Sequence, residues 1–276
     1  MSKTTVVEQL TQDKLIKPPK FVAPYVHYET EVGSVAYGVS QKSSDIDIYG
    51  FCIPPKAMVF PHLEGHIPGF GRQKQRFEQY QQHGIKDEKN DVIWDLTIYS
   101  IVRFFMLCME NNPNMIESIF TPERCVQTCT PVAQLVRDKR QLFLHKGAWH
   151  KFKGFAYSQI HKMKNKNPEG KRVKLIETYG YDVKFAYHAV RLMDEAEQIL
   201  STHDLDLEHS RDKLIAIRNG EWTQQEVEDY FAQKEHDLEA LYLQSTLRHS
   251  PDEQEVRTLL LECMEEAWGN LDGCFG

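Results

Sequence analysis

Two short stretches, Val32-Gly33-Ser34-Val35-Ala36-Tyr37-Gly38 and Ser44-Asp45-Ile46-Asp47-Ile48-Tyr49-Gly50, decide how the rest of this 276-residue chain is read. Side chains in a strand alternate between faces, so Asp45 and Asp47, two apart, project from the same face with their carboxylates close together. Two aligned carboxylates are unfavourable unless something positive sits between them. Mg²⁺ is the usual answer when the other ligands are phosphates, because it takes one or two carboxylates and keeps the rest of its shell for water and phosphate oxygens. Upstream, Gly33 lets the backbone approach a ligand with no Cβ in the way, and the Ser34 hydroxyl can donate to a phosphate oxygen. Metal-binding acids beside a phosphate cradle imply phosphoryl or nucleotidyl transfer. Asp204-Leu205-Asp206 repeats the acid-x-acid spacing without a Gly-Ser upstream and among polar turn residues, and reads as a solvated loop.

Outward from this motif, residues 25–32, 45–53 and 92–99 carry the alternation or β-branched and aromatic enrichment of strands. Residues 54–84, rich in Gly, Pro, His and Gln, read as a long excursion rather than a buried element. Residues 100–109 have helical character, ended by Asn111-Asn112-Pro113, since the residue before a proline is pushed out of the helical region. Past residue 125 the pattern is almost wholly helical. Phe185, Ala186, Ala189, Met193, Ala196 and Leu200 form one stripe, and Thr223 with Glu226, and Ser250 with Pro251 and Glu253, mark two helix starts. The expectation is an α+β protein, with a mixed-sheet domain over 1–125 and a mainly helical domain over 126–276. On the helix following Asp182, the residues Lys184, His188 and Arg191 lie at i, i+4 and i+7 and share a face. They read either as a solvated polar stripe or as cations turned toward a triphosphate across the cleft. Tyr37 reads either as packing under its loop or as lining a nucleotide site.

Composition narrows the field. With 41 % apolar and 26 % charged residues, disorder, collagen and coiled-coil readings are excluded. The longest nearly apolar run, Ile101–Met109, is nine residues and contains Arg103, far short of the roughly 20 a membrane span needs. The first residues show neither an apolar h-region nor a small-residue cleavage site, so a cytoplasmic location is expected. Six cysteines without regular spacing read as reduced thiols, and Cys125 and Cys129, with no second pair at finger-like spacing, as small packed side chains rather than a zinc site. The net charge of −7 is unevenly spread. Residues 146–174 hold nine basic residues against Glu169, a net +8, leaving −15 for the remainder. With Trp149, Phe152, Phe155 and Tyr157 interleaved, the segment is a candidate surface for phosphates or single-stranded nucleic acid, or a solvated basic face.

The pattern GS-x2-YG-x6-DID-x2-G resembles the DNA polymerase β-type nucleotidyltransferase superfamily, whose motif runs from an apolar residue and a Gly-Gly or Gly-Ser pair through about ten residues to Asp-apolar-Asp. The chain is further similar to an RlaP-like branch of predicted nucleotidyltransferases associated with RNA ligases and RNA repair. That likeness rests on 95–100 (DLTIYS), 112–117 (NPNMIE) and 180–192 (GYDVKFAYHAVRL), so it covers roughly residues 32–200. The resemblance implies a nucleotidyltransferase-type mixed sheet. It places metal ligands on Asp45 and Asp47 and triphosphate contacts on Gly33 and Ser34. A third acid on the next strand falls on Asp95, between Trp94 and Leu96, with Asp91 and Glu78 as rivals and a helix-capping role as the alternative for Asp95 itself. Lys184, His188 and Arg191 would then meet the phosphates. The implied reaction is in-line attack of an acceptor hydroxyl on the α-phosphate of a nucleoside triphosphate, ATP binding being expected, with two Mg²⁺ ions (Mn²⁺ the alternative) and pyrophosphate release. RNA is the expected acceptor. A small molecule or a protein side chain as acceptor, or a non-catalytic nucleotide- or RNA-binding sensor, are the other readings.

Overall fold

The computed structural model describes residues 4–40, 45–60, 76–167 and 170–269, with only the backbone of Lys171. In chain order these residues form α1 (Val6–Gln12), β1 (Val26–Glu31), β2 (Ile46–Cys52), the short α2 (Lys56–Val59), β3 (Gln79–Asp87), β4 (Val92–Ser100), α3 (Ile101–Met109), α4 (Pro113–Phe120), β5 (Val126–Cys129) and α5 (Pro131–Asp138). Then come α6 (Gly147–Asn165), α7 (Lys171–Tyr179), α8 (Val183–Thr202), α9 (Arg211–Arg218), α10 (Gln224–Gln244) and α11 (Glu253–Trp268). The class is α+β: a five-stranded mixed sheet, then a helical region. Among the described residues no helix is long and apolar enough to cross a membrane.

The strand order is β3-β4-β2-β1-β5. Only β2 and β4 run parallel; the other neighbours are antiparallel. Alternation along β2 and β4 sends Ile46, Ile48, Trp94, Leu96 and Ile98 to one face, where they meet Val7, Leu10, Ile16 and Val22 from the N-terminal segment. Tyr49, Phe51 and Tyr99 lie on the other face, against a larger core supplied by α3 to α6 and α8 to α11. Phe51 lies within this seam, fully buried and 5.1 Å centroid to centroid from Phe104, so Phe51→Ala would cost about 3–5 kcal/mol. The sheet draws on both sides of residue 125, because β5 adds to the outer edge of β1, and the larger core is likewise shared.

Local chemistry explains the element ends. Asp182 caps α8 by accepting from the amides of Lys184 and Phe185, and His203 closes that helix in the left-handed region. Asn112 caps α4 with Pro113 at its first position, so the Asn-Asn-Pro that ends α3 also starts its successor. The capping box at Thr223 and Glu226 forms as expected. The start near Ser250 does not: the cap is Asp252, whose carboxylate accepts from Gln254 and Glu255 amides, a stronger acceptor at the positive helix end than a serine placed before a proline. Part of 54–84 also departs from expectation. Residues 61–75 lie outside the described residues, but residue 79 onward forms β3, an edge strand with one neighbour and largely exposed Gln and His side chains.

Candidate active site

Parallel pairing sets Asp47 of β2 directly beside Asp95 of β4, on the sheet face turned toward the helices. Asp45 stands one residue ahead of β2, close enough for its charge to act on Asp47. Asp47 is half-buried, and its carboxyl is pushed up to about 6, first by burial and then by Asp95; Lys184 opposes the shift, and Asp45 reinforces it. Among the described residues Asp47 has no salt bridge and no side-chain hydrogen bond. The site therefore holds more negative charge than its neighbours neutralise.

Asp95 is held by a bulge in β3. The register slips between Gln82 and Ile85, so His83 and Gly84 together face one residue of β4. Gly84, at φ 63°, donates its amide to Asp95 Oδ1 at 2.7 Å, and His83 Nδ1 lies 3.4 Å from Oδ2. The capping alternative for Asp95 does not hold, since Ser100 caps α3. Its rivals sit elsewhere: Glu78 is engaged by Arg76 and Arg103, and Asp91 occupies the β3–β4 turn at positive φ.

Gly33 follows β1 at φ 73°, and a Cβ there would stand 3.2 Å from Asp47 Oδ2. The requirement for glycine is thus both conformational and steric. From Gly33 to Gly38 the chain makes tight turns whose carbonyls are taken up: Gly33 O by Tyr37 N, Ser34 O by Val39 N. Guanidinium groups hold the outer side, with Arg124 on Val35 O, Arg211 on Gly38 O and Arg218 on Val39 O. The amides of Ser34, Val35 and Ala36 carry no hydrogen bond among the described residues, leaving three donors for an anion.

The Lys184, His188 and Arg191 face of α8 is split by packing. Lys184, in the first turn, is exposed, and its ammonium is pushed down by burial of its charge and by Arg172 while Asp47 and Asp45 pull it up. His188 lines the cleft; burial and the surrounding Arg191, Lys184, Arg172 and Arg218 push it well below the usual range, so its imidazole is neutral at pH 7. Arg191 departs from the expectation of a cation offered to phosphate. It is buried, 2.5 Å from Glu117 and 2.8 Å from Glu195, and its guanidinium stacks 4.2 Å over the Tyr37 ring. Burial and Glu117 hold the Glu195 carboxyl well above its usual range, against the pull of Arg191. The Tyr37 hydroxyl donates to Glu117, so Tyr37 both packs under its loop and lines the cavity.

That cavity, about 240 Å³, is bounded by Gly33, Asp47 and Tyr49 from the sheet side, Asn114 and Glu117 from α4, Phe155 and Gln159 from α6, and His188 and Arg191 from α8. A larger open depression of about 870 Å³, near Lys139, His203 and Arg248, contains no such acids and lies outside this constellation. Sequence reasoning did not single out Asn114, Glu117, Gln159 or His83. The first two fall within the quoted 112–117 block, whereas nothing local marks Gln159 or His83.

The basic segment is partly neutralised. Lys153 pairs with Glu235 and Glu239, Lys164 with Glu228, Lys151 with Glu110 and Arg172 with Asp182, while Lys146 is buried. Trp149 and Phe152 are core residues; Phe155 and Tyr157 are exposed. The Asp204 and Asp206 pair lies in a loop, where each carboxylate accepts from a nearby backbone amide. Cys125 is buried and Cys129 exposed, both free thiols.

The residues present fit a hard divalent cation. Asp45, Asp47 and Asp95 offer carboxylate oxygens, the donor chemistry that suits Mg²⁺ or Mn²⁺. Among the described residues no group of three or more His, Cys, Asp or Glu side chains forms a ready cage.

Register-paired acids on the inner parallel strands, beside a glycine-serine turn and under a helical cap, form the arrangement expected of polymerase β-type proteins. Over residues 7–262 the chain matches the model of the RlaP family, described as an RNA repair pathway DNA polymerase beta family, and belongs to it. No curated protein matches the chain.

Proposed function

We propose that the protein is a Mg²⁺-dependent nucleotidyltransferase that moves a nucleoside monophosphate from a nucleoside triphosphate to a hydroxyl acceptor, RNA being the acceptor. The observation that carries the reading is the lateral pairing of Asp47 with Asp95, with Lys184 near enough for its charge to act on Asp47 and with unengaged amides at Ser34 to Ala36 in the turn that follows β1. Asp45, Asp47 and Asp95 would hold the metal. When bound, it supplies Lewis-acid polarisation of phosphate oxygens and charge compensation during transfer.

The chain's own residues do the rest. The Gly33–Gly38 turn donates backbone N–H groups to the phosphates, fixed from behind by Arg124, Arg211 and Arg218. Lys184 adds positive charge where the phosphates lie, and its early position in α8 adds the positive end of the helix. Asp95, steadied by the Gly84 amide and by His83, would accept the acceptor hydroxyl's proton. Support for RNA comes from the family's link to RNA repair; in the basic segment Lys151, Lys153, Lys164 and Arg172 are paired with acids of the chain.

Incubation with each labelled nucleoside triphosphate, Mg²⁺ and total RNA tests the reading. Label transfer to RNA that is lost in Asp47→Asn supports it. Nucleotide binding without transfer to RNA, protein or small hydroxylated acceptors refutes it in favour of a sensor.

A further inference from the structure

The cavity in front of Asp47 continues to a second wall, made by Asn114 of α4 and by Phe155 and Gln159, one turn apart on α6. Phe155 is 37 % exposed, while Phe152 and Ala156 beside it on the helix are buried. The side-chain amides of Asn114 and Gln159 make no hydrogen bond within the described residues. Those of Gln127, Gln134, Gln198 and Gln224 all do. The cavity's charged guanidinium belongs to its floor, where Arg191 is bound to Glu117 and Glu195. The wall itself is an apolar ring flanked by two neutral, unengaged amides, across from acids and a phosphate-type turn. Such a surface suits a flat heterocycle with hydrogen-bonding edges.

Resting on the nucleotidyl-transfer reading above, we propose that Phe155, Asn114 and Gln159 form the base subsite for the incoming nucleoside triphosphate and make the chain prefer ATP. The base stacks on Phe155, and the two amides read its edge. Stacking of a base on an aromatic side chain strengthens binding by about 10-fold or more. The preference for ATP over GTP follows if the amides read the purine N7 edge: there adenine presents a donor at N6 beside an acceptor at N7, which one amide matches with both of its ends, whereas guanine presents two acceptors, O6 and N7, which call for an arginine or lysine. Neither stands on this wall.

The test is calorimetric binding of ATP, GTP, CTP and UTP to the full chain with Mg²⁺, for the wild type and for Phe155→Ala, Phe155→Tyr, Asn114→Ala and Gln159→Ala, with transfer to RNA measured in parallel. All three positions are solvent-accessible, so folding is not at stake. We expect ATP to bind about 10-fold or more tightly than GTP, with that advantage falling about 5-fold in Asn114→Ala and Gln159→Ala. Phe155→Ala should weaken ATP about 10-fold and Phe155→Tyr restore it. Equal affinity for all four nucleotides, or variants that leave nucleotide affinity untouched, overturns the proposal. Variants that raise only the KM for RNA overturn it too, assigning the wall to the acceptor. Discrimination that shifts in the variants of a protein transferring nothing upholds the subsite and refutes the transfer reading; transfer without discrimination does the reverse.

Discussion

Two clusters of carboxylates each send one member, Glu117 and Asp47, to the same cavity and are treated in opposite ways. Glu117 and Glu195 share a buried guanidinium, Arg191, with the Tyr37 hydroxyl completing the group. Asp47, among the described residues, has no ion pair and no side-chain hydrogen bond: Lys184 acts on it only through its charge, and its neighbour Asp95 is held by the Gly84 amide, with His83 at 3.4 Å. The first cluster is closed and ties the Gly33–Gly38 turn to α4 and α8. In the second, Asp47 is left without a pairing cation in contact, and burial beside Asp95 raises its affinity for a proton. The acid locked in an ion pair is architecture, and the acid left unpaired is the candidate for chemistry.

The contrast breaks most sharply in activity. Replacing Asp45 and Asp47 together with Asn should lower transfer by about 10³-fold or more in a labelled-nucleotide assay, because the site then lacks the charge that holds the metal. The same double variant should keep its far-ultraviolet circular dichroism, whereas full activity would mean that the wrong acids were chosen. Next in size is the closed cluster. Arg191→Ala leaves the buried Glu117 and Glu195 side chains without their shared donor and should cost about 3–5 kcal/mol in urea unfolding, while Arg191→Met combined with Glu117→Gln and Glu195→Gln should recover most of it. A mild loss in the single variant would show that the cluster is not a structural clamp.

The open cluster predicts a pH signature in metal-free protein. Asp47 binds its proton more tightly folded, at about 6, than unfolded, where the ordinary value is 3.8. The stability it contributes is therefore complete below about pH 4 and is lost as pH rises through about 6. With solvent screening the difference is about 1–2 kcal/mol. Thermal unfolding in chelator should lose this slope in Asp47→Asn, which should also be the more stable protein at pH 7. Gly33→Ala sharpens the contrast from the turn's side. A left-handed φ and a Cβ 3.2 Å from Asp47 Oδ2 should cost about 1–2 kcal/mol and raise the KM for nucleotide. The smallest effect belongs to Asp204→Asn with Asp206→Asn, expected within about 0.5 kcal/mol of wild type and with unchanged transfer.

Much of this was legible along the chain, and the failures have physical reasons. β1, β2, β4, α3, α8 and α10 announce themselves through apolar period and caps. β3 does not, because an edge strand with one neighbour can carry Gln and His where a central strand would need apolar residues. β5 is four residues long, too short to show an alternation. Lys184, His188 and Arg191 share a face by spacing alone, yet each has a different degree of burial, because neighbouring Glu117 and Glu195 draw one of them inward.

Within the chain itself, the alternation of a strand predicts Asp45 and Asp47 on one face, and a glycine-serine pair beside them suggests where phosphates would lie; in the structure Asp47 lies in β2 and Asp45 one residue ahead of it. Which other groups join them is a matter of tertiary structure. Asp95 reaches Asp47 only because β4 pairs parallel to β2, and Asn114, Phe155 and Gln159 share their cavity only because α4 and α6 pack across from the sheet. Pairing and packing are set by which apolar faces can be buried together over long separations, and no short window of sequence carries that information.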